Sequence, residues 1–222
     1  FAEYVTIPQH ILYRIPDDVT FEQAAMVEAA AVALHSINIS GVKPGNSAAV
    51  VGAGMIGVFV VKLLGIAGAS PVVAVDIDEK HVQKALKAGA GAAFIAADPE
   101  LQEKVHMLTD GRGCDCVYEA VGMNDPVNTA ISLARRGGTV TLVGNARTSV
   151  EFPLQKVVTG ELRIQGSCAI CGEYDAILEF IRTGKLKVDD QISAVAPLSE
   201  GVSWFKRLYG KEEDLGKVIL VP

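Results

Sequence analysis

The 222-residue sequence contains few aromatic residues, few cysteines and no excess of positive charge. Its formal net charge of −6 at pH 7 argues against a nucleic-acid partner, because phosphate binding requires a basic surface. Four cysteines in a chain of this length do not indicate a disulfide scaffold. The opening residues, FAEYVTIP, have neither the basic nor the apolar region of a signal peptide. We therefore expect a cytoplasmic protein.

The sequence also lacks an uninterrupted hydrophobic run long enough to span a membrane. Its most apolar stretch is Val50–Asp76, and Lys62 interrupts it before the roughly 20 apolar residues that a spanning helix needs. Gly65, Gly68 and Pro71 then divide the remainder, which is typical of alternating short elements. We expect no membrane partner.

The same stretch instead predicts a strand, a turn, a helix and a second strand. The apolar run Ser47–Val51 suits a buried strand, and Pro71–Val75 suits another. Between them, Gly54–Ala67 has apolar residues at helical spacing. The turn before this helix is Gly52-Ala53-Gly54-Met55-Ile56-Gly57, which has the spacing G-x-G-x-x-G.

This spacing predicts a site for a dinucleotide. Gly52 permits the tight turn, Gly54 lets a pyrophosphate approach the backbone, and Gly57 lets the helix pack close to the strand. The N–H groups at the start of the helix would face the phosphates. Asp76 follows about 20 residues after the last glycine, at a strand end, where its carboxylate can accept from ribose hydroxyls. In this context an ordinary tight turn is the weaker alternative.

The alternation of strands and helices continues beyond Asp76. Further strands are predicted at Ala92–Ala96, Cys114–Glu119, Thr139–Val143 and Leu162–Ser167. Six strands with intervening helices predict an α/β fold with a doubly wound parallel sheet.

Two helices between these strands are predicted in more detail. The first begins at Asp98-Pro99 and should bury Leu101, Val105 and Leu108. The second begins at Asp125-Pro126, should carry Arg135 and Arg136 in its last turn, and should end at Gly137.

The two flanks of the chain do not continue the alternation. In the first flank, Thr20-x-x-Gln23 forms the sequence of a capping box, and the second contains an amphipathic segment, Leu198–Tyr209. We therefore predict a central nucleotide-binding domain at 43–184. Residues 1–42 and 185–222 would belong to a second structural unit.

Several segments together resemble the medium-chain zinc-dependent dehydrogenases. They are GVKPGNSAAVVGAGMIG, AVDIDEKHVQKALKAGA, GRGCDCVYEAVG, RRGGTVTLVG and GKVILVP. The resemblance implies a Rossmann domain that binds NAD, flanked by parts of a GroES-like catalytic domain. In that family an N-terminal catalytic domain with the Cys and His zinc ligands precedes the phrase FAEYV, so the resemblance implies that this chain lacks it.

The segment AAMVEAAAVALHSI is similar to the sorbitol-type polyol dehydrogenases within that family. They have a Glu at the position of Glu28, which reaches zinc directly or through a water. The apolar residues around Glu28 favour this metal role over a surface carboxylate, because burial of an unpaired carboxylate is unfavourable. Ala29 departs from the family's Pro. Ala169-Ile170 replaces the Arg-Tyr of sorbitol enzymes, which argues against sorbitol itself.

The resemblance also implies which residues contact NAD. Around the phosphate turn and the adenosine ribose these are Met55, Ile56, Asp76, Ile77 and His81. Residues that follow the fifth and sixth strands would face the nicotinamide, namely Val143, Gly144, Asn145, Ser167, Cys168 and Ala169. Lys217 would approach the pyrophosphate, with a solvated lysine as an open alternative.

The cysteines admit a metal interpretation that we do not favour. Cys168-x-x-Cys171 has the spacing of half a zinc site, and Cys114-x-Cys116 could supply further thiols. A structural zinc needs four ligands brought together, so we interpret all four residues as small buried apolar side chains.

The predicted function is the cofactor half of a zinc-containing dehydrogenase. The whole enzyme would transfer a hydride between NAD and a secondary alcohol, such as a polyol, a sugar alcohol or its phosphate. We expect no catalytic residue in this chain, which alone would be inactive. The alternatives are a zinc-free quinone- or enoyl-type reductase and a non-catalytic dinucleotide-binding module. The resemblance further implies a homodimer or homotetramer, with the cofactor domains paired through the edge strand Leu162–Ser167.

Overall fold

The computed structural model describes residues 1–210 and 215–222. The α-helices in this part of the chain are α1 (Phe21–Ala24), α2 (Val27–Ser40), α3 (Met55–Ile66), α4 (Glu79–Lys87), α5 (Leu101–Leu108), α6 (Asn124–Leu133), α7 (Leu154–Thr159), α8 (Tyr174–Arg182) and α9 (Gly201–Gly210). The strands are β1 (Ala48–Val51), β2 (Val72–Asp76), β3 (Ala92–Ile95), β4 (Cys114–Glu119), β5 (Ala134–Leu142), β6 (Arg163–Gly166), β7 (Ile192–Pro197) and β8 (Lys217–Val221).

The chain divides into two compact units. The larger is formed by residues 29–171, and the smaller by residues 1–28 together with 172–222. The functional boundaries at 42/43 and 184/185 stay a prediction. No helix within the described residues is both long and apolar enough to cross a membrane.

The larger unit contains a parallel sheet with the strand order β3-β2-β1-β4-β5-β6. The order reverses between β1 and β4, which leaves a crevice outside the carboxyl ends of these strands. Val51 at the end of β1 is in register with Val75 of β2 and with Glu119 of β4, so the three strands end at one edge. The predicted doubly wound α/β fold is confirmed.

Helices cover the central strands on both faces. All four residues of β1 are buried, and so are the first four of β2, which requires packing on each side of the sheet. The helix α3 buries Val58–Val61, Leu63 and Leu64. The small Ala and Val side chains of β1 and β2 let helices approach the sheet closely.

A buried pair of hydroxyl groups joins α2 to β4. The Oη atom of Tyr118 lies 2.7 Å from Oγ of Ser40, and Tyr118 is fully buried. The Ser40 hydroxyl donates its single hydrogen to the carbonyl of Ile37 at 2.7 Å, so Tyr118 is the donor to Ser40. Burial raises the pKa of Tyr118, which keeps the phenol protonated.

The prediction that Arg135 and Arg136 end a helix is wrong. The helix α6 ends at Leu133, and Ala134 already pairs with Cys114 of β4. The guanidinium of Arg135 then donates from Nε to Asp115 Oδ1 at 2.5 Å. This tertiary partner holds Arg135 in extended backbone, which the helical spacing of nearby apolar residues could not reveal.

The details predicted for α5 are also partly wrong. The helix begins at Leu101, because the Asp98 carboxylate accepts from the Glu100 N–H group at 2.9 Å and forms a turn before it. Leu101 and Val105 are buried as predicted, but Leu108 is 42% exposed, at the last residue of the helix.

In the smaller unit, the predicted capping box is confirmed and the predicted amphipathic helix has different bounds. The Thr20 side chain accepts from the Gln23 N–H group, and the Gln23 side chain accepts from the Thr20 N–H group, each at 3.2 Å. The predicted helix Leu198–Tyr209 begins as a 3₁₀ turn at Leu198–Glu200 and continues as α9. The strands β7 and β8 form a separate parallel pair.

We expect the Ser40→Ala substitution to destabilise the protein more than Tyr118→Phe. Ser40→Ala leaves the buried phenol without its acceptor, which should lower the free energy of unfolding by about 1–3 kcal/mol. Tyr118→Phe leaves Ser40 bonded to the Ile37 carbonyl and the Val42 N–H group, so about 1 kcal/mol is expected. Urea denaturation measures both. Tyr209→Phe, at a 93% exposed position, is the control, and equal losses in the two test variants would contradict the donor assignment.

Candidate dinucleotide site

The turn between β1 and α3 contains three glycines. Packing leaves no room for a side chain at two of them, and the third faces open space. A Cβ atom on Gly57 would lie 1.8 Å from the Gly52 carbonyl oxygen, and one on Gly52 would lie 2.5 Å from Val121 Cγ2. A Cβ atom on Gly54 would meet no atom within 4 Å. Gly54 is the N-cap of α3 and provides no side-chain cap. The N–H groups at the start of α3 therefore face a space that a phosphate could occupy.

The carboxylate of Asp76 is attached directly to this turn. Its Oδ2 atom accepts from the Ala53 N–H group at 2.6 Å, and Oδ1 accepts from the Asp78 N–H group at 3.0 Å. The Nδ1 atom of His81 lies 3.2 Å from Oδ1. The structure thus brings together the predicted residues Asp76 and His81, with Ile77 beside them and 84% exposed.

An apolar cavity of about 350 Å³ adjoins Asp76 at the carboxyl ends of β1, β2 and β4. Its lining includes Val75, Ile77, Ala96, Val121 and Met123. An apolar slot of this kind beside a carboxylate suits a flat heteroaromatic base. The sequence analysis did not identify Ala96, Val121 or Met123, although Ala96 ends one predicted strand and the other two follow the next, where such sheets bind ligands.

Glu119 at the end of β4 is a further site residue that the sequence analysis missed. Its side chain is fully buried, and its carboxylate accepts from the N–H groups of Val121 and Gly122, each at 2.8 Å. Burial raises the pKa of this carboxyl group, and the two N–H donors act in the opposite direction. The available signal was an acidic residue at a strand end, directly after the apolar residues Cys116–Tyr118.

The predicted nicotinamide residues occupy the loops after β5 and β6. The N–H groups of Val143 and Gly144 donate to the Glu119 carbonyl at 2.8 and 2.9 Å. The Ser167 N–H group donates to the Leu142 carbonyl at 2.8 Å, which places the loop of Ser167 beside that of Val143. The Ser167 hydroxyl oxygen is buried without a hydrogen-bond partner in the part of the chain described here.

The interpretation of all four cysteines as buried is wrong for two of them. Cys168 and Cys171 are exposed because the loop after β6 lies at the surface. Cys114 and Cys116 are buried in β4, and burial raises the pKa of their thiols to about 12 and about 11. These two thiols are therefore protonated at neutral pH.

Two predicted residues lie in the smaller unit. Glu28 is exposed, so the argument that burial requires a metal partner for it is wrong. Within residues 1–210 and 215–222, no three His, Cys, Asp or Glu side chains form a group that could hold a metal ion. The donors present do not fit a zinc ion, which needs about three protein ligands in a catalytic site. Lys217 is half-buried at the start of β8, and its contact with a cofactor stays a prediction.

A family model described as zinc-binding dehydrogenase matches residues 55–183. This range contains Asp76, Glu119 and the loops after β5 and β6, and it makes up more than half of the chain. The chain belongs to the zinc-binding dehydrogenase family. The family assignment that the sequence segments implied is therefore confirmed.

Individual relatives agree with this family assignment. D-xylulose reductase A from Aspergillus niger is 31% identical over 212 residues, which are 93% of this chain and 59% of the relative. Among solved structures, 2R,3R-butanediol dehydrogenase from Bacillus subtilis is 27% identical with a TM-score of 0.87 over 95% of this chain and 60% of that one. A zinc-binding dehydrogenase from Sinorhizobium meliloti 1021, solved with NADP, is 27% identical with a TM-score of 0.90 over 99% and 65%. The chain thus spans about 60% of the length of the curated relatives it matches.

We expect the Gly57→Ala substitution to destabilise the protein and Gly54→Ala to leave its stability unchanged. The new Cβ of Gly57→Ala would collide with the Gly52 carbonyl, so a loss of about 1–3 kcal/mol in the free energy of unfolding is expected. Gly54→Ala adds its methyl group to open space, at a φ of −67° that alanine adopts readily. Denaturant unfolding of both variants is the measurement. A comparable loss in Gly54→Ala would show that the space above this turn is filled.

Proposed function

We propose that this chain is the cofactor-binding part of a dehydrogenase that transfers a hydride between NAD and a secondary alcohol. A polyol, a sugar alcohol or its phosphate is the substrate class, in keeping with the D-xylulose reductase and butanediol dehydrogenase relatives. The main support is the hydrogen bond from the Ala53 N–H group to Asp76, because it joins the phosphate turn to the ribose-binding carboxylate. NAD, when bound, supplies the hydride acceptor.

Each part of the dinucleotide has a matching surface in the larger unit. The pyrophosphate would occupy the space above Gly54, where the first N–H groups of α3 can donate to it. The adenosine ribose would donate to Asp76, and the adenine would enter the apolar cavity beside it. The nicotinamide would then lie against Val143–Asn145 and Ser167–Ala169, with backbone groups and the Ser167 hydroxyl to orient it.

We propose that the protein prefers NAD to NADP. Asp76 is held at the ribose position by two N–H donors and cannot swing away without breaking both bonds. A 2′-phosphate would lie against this carboxylate and be repelled, and the adjacent Ile77 provides no positive charge. The Sinorhizobium meliloti relative was solved with NADP, so the preference of the present chain needs a direct measurement.

Calorimetric titration should show NAD binding at least about tenfold tighter than NADP, because like charges in contact oppose association. Asp76→Asn keeps one acceptor oxygen and removes the charge, so it should reduce the difference between the cofactors. Gly54→Ala tests the location of the site, because its methyl group would lie where the pyrophosphate is expected, and it should abolish binding of both cofactors. Equal affinities for NAD and NADP in the unmodified chain would contradict the preference for NAD. Failure to bind either cofactor would contradict the proposed dinucleotide site.

The metal chemistry would depend on residues beyond those of this chain. Glu28 is the one residue that the resemblance assigns to zinc here, and a single carboxylate does not hold zinc. We keep Glu28 as a proposed contributor to a zinc site of the whole protein. Zinc would there polarise the alcohol oxygen and lower its proton affinity.

Two other functions compete with this proposal. A zinc-free quinone- or enoyl-type reductase would need neither Glu28 nor metal, and a dinucleotide-binding module would bind cofactor without turnover. Metal content separates them, because a zinc-dependent dehydrogenase holds about one or two zinc ions per chain. The exposed position of Glu28 favours neither alternative.

We expect the 222-residue chain to bind NAD without oxidising alcohols. The measurement is NADH formation with NAD, zinc and a panel of polyols, beside the same assay on the full-length protein before and after chelation. The full-length protein should lose turnover on chelation and in the Glu28→Ala variant. Zinc-dependent turnover by the 222-residue chain, above its own Glu28→Ala control, would contradict the assignment of the catalytic residues to the rest of the protein.

We propose a homodimer or homotetramer in the cytoplasm, paired through β6. This strand is the last of the sheet order, and an uncovered sheet edge is a liability that pairing removes.

A further inference from the structure

The loop after β4 lies between the two halves of the candidate dinucleotide site. On one side, a Cβ atom on Gly52 would lie 2.5 Å from Val121 Cγ2, so this loop packs against the phosphate turn. On the other side, a Cβ atom on Gly122 would lie 2.4 Å from the Asn145 nitrogen. The loop after β4 therefore contacts both the turn after β1 and the loop after β5.

Glu119 holds the loop after β4 through its side chain and the loop after β5 through its backbone. The carboxylate accepts from Val121 and Gly122, and a second contact from Gly122 N–H to Oε2 measures 3.0 Å. The carbonyl oxygen accepts from Val143 and Gly144. One residue thus receives hydrogen bonds from both loops.

Because Glu119 is buried, the hydrogen bonds of its carboxylate are difficult to replace. The side chain is 0% exposed, so water does not replace a hydrogen bond that the carboxylate gives up. The loops also have no room to move towards each other, because a Cβ atom on Gly144 would lie 2.1 Å from the Gly122 nitrogen. Loss of the carboxylate would free Val121 and Gly122, and the loop that contains Gly144 would lose this packing support and keep its bonds to the Glu119 carbonyl.

We propose that Glu119 is a positioning residue that fixes the nicotinamide-facing backbone of Val143–Asn145 relative to the phosphate turn. The inference rests on the proposed function, and it gives Glu119 no contact with the reacting atoms. The ribose position is held by different bonds, between Asp76 and the N–H groups of Ala53 and Asp78, and the loop after β4 adds Val121 to the lining of the adjoining cavity. Removal of the Glu119 carboxylate should therefore weaken binding of the whole dinucleotide more than binding of ADP, which fills only the adenosine half.

The experiment compares the affinities of NAD and ADP in four proteins by calorimetry. Glu119→Ala should bind NAD about tenfold more weakly than the unmodified protein and ADP about threefold more weakly, because ADP meets only Val121 of the two released residues, whereas NAD also needs the loop after β5 that packs against them. Glu119→Gln keeps one acceptor oxygen but turns an amide NH₂ towards the Gly122 N–H group, so a loss of about threefold for NAD alone is expected. Thr141→Val is the matched control, since it removes a buried hydroxyl from β5 that has no partner among the described residues, and it should change neither affinity.

Selective loss of NAD affinity in the Glu119 variants supports the proposal. Equal losses for NAD and ADP, or unchanged NAD affinity in Glu119→Ala, would overturn it. If Glu119→Ala does not fold, as its circular dichroism spectrum and urea denaturation would show, the Glu119→Gln variant decides by the same comparison. An unmodified protein that binds neither ligand would overturn the proposed function itself, whereas one that binds both but shows no selectivity in its variants would overturn this inference alone.

Discussion

The parallel pairing of β1 with both β2 and β4 is the constraint on which the rest of the site depends. Val51 is in register with Val75 and Glu119, so the residues that follow these strands emerge at one edge of the sheet. Gly52 forms the turn at that edge, with Asp76 on one side and Glu119 on the other. Each acidic residue accepts from backbone N–H groups of a loop at this edge, which converts three strand ends into one connected surface.

The sequence predicted those parts of the fold that are specified locally. The G-x-G-x-x-G turn, α3 and Asp76 were predicted because a glycine spacing and two apolar periodicities occur within one short stretch. The same holds for the capping box of Thr20 and Gln23, where both partners are three residues apart. The family resemblance then indicated the loops after β5 and β6 as candidate site residues, which composition and periodicity alone do not predict.

The errors arose where distant residues decide the local structure. Arg135 belongs to a strand because Asp115 of the neighbouring strand binds its guanidinium. Glu119 was missed for a different reason, because its side chain binds the nearby backbone N–H groups of Val121 and Gly122, which leave no trace in the pattern of side chains. The exposure of Cys168 and Glu28 likewise depends on what packs around them, and an apolar sequence neighbourhood is a poor guide to that.

The bond between Ala53 and Asp76 has a consequence for how a ligand would be received. The turn, the carboxylate and the start of α3 are held in one arrangement by contacts within the chain itself. Conformational entropy at this half of the site is therefore lost when the chain folds, and association would not have to order these groups again. This half of the site would act as a rigid template for a ligand, and little binding free energy would be lost in ordering the protein.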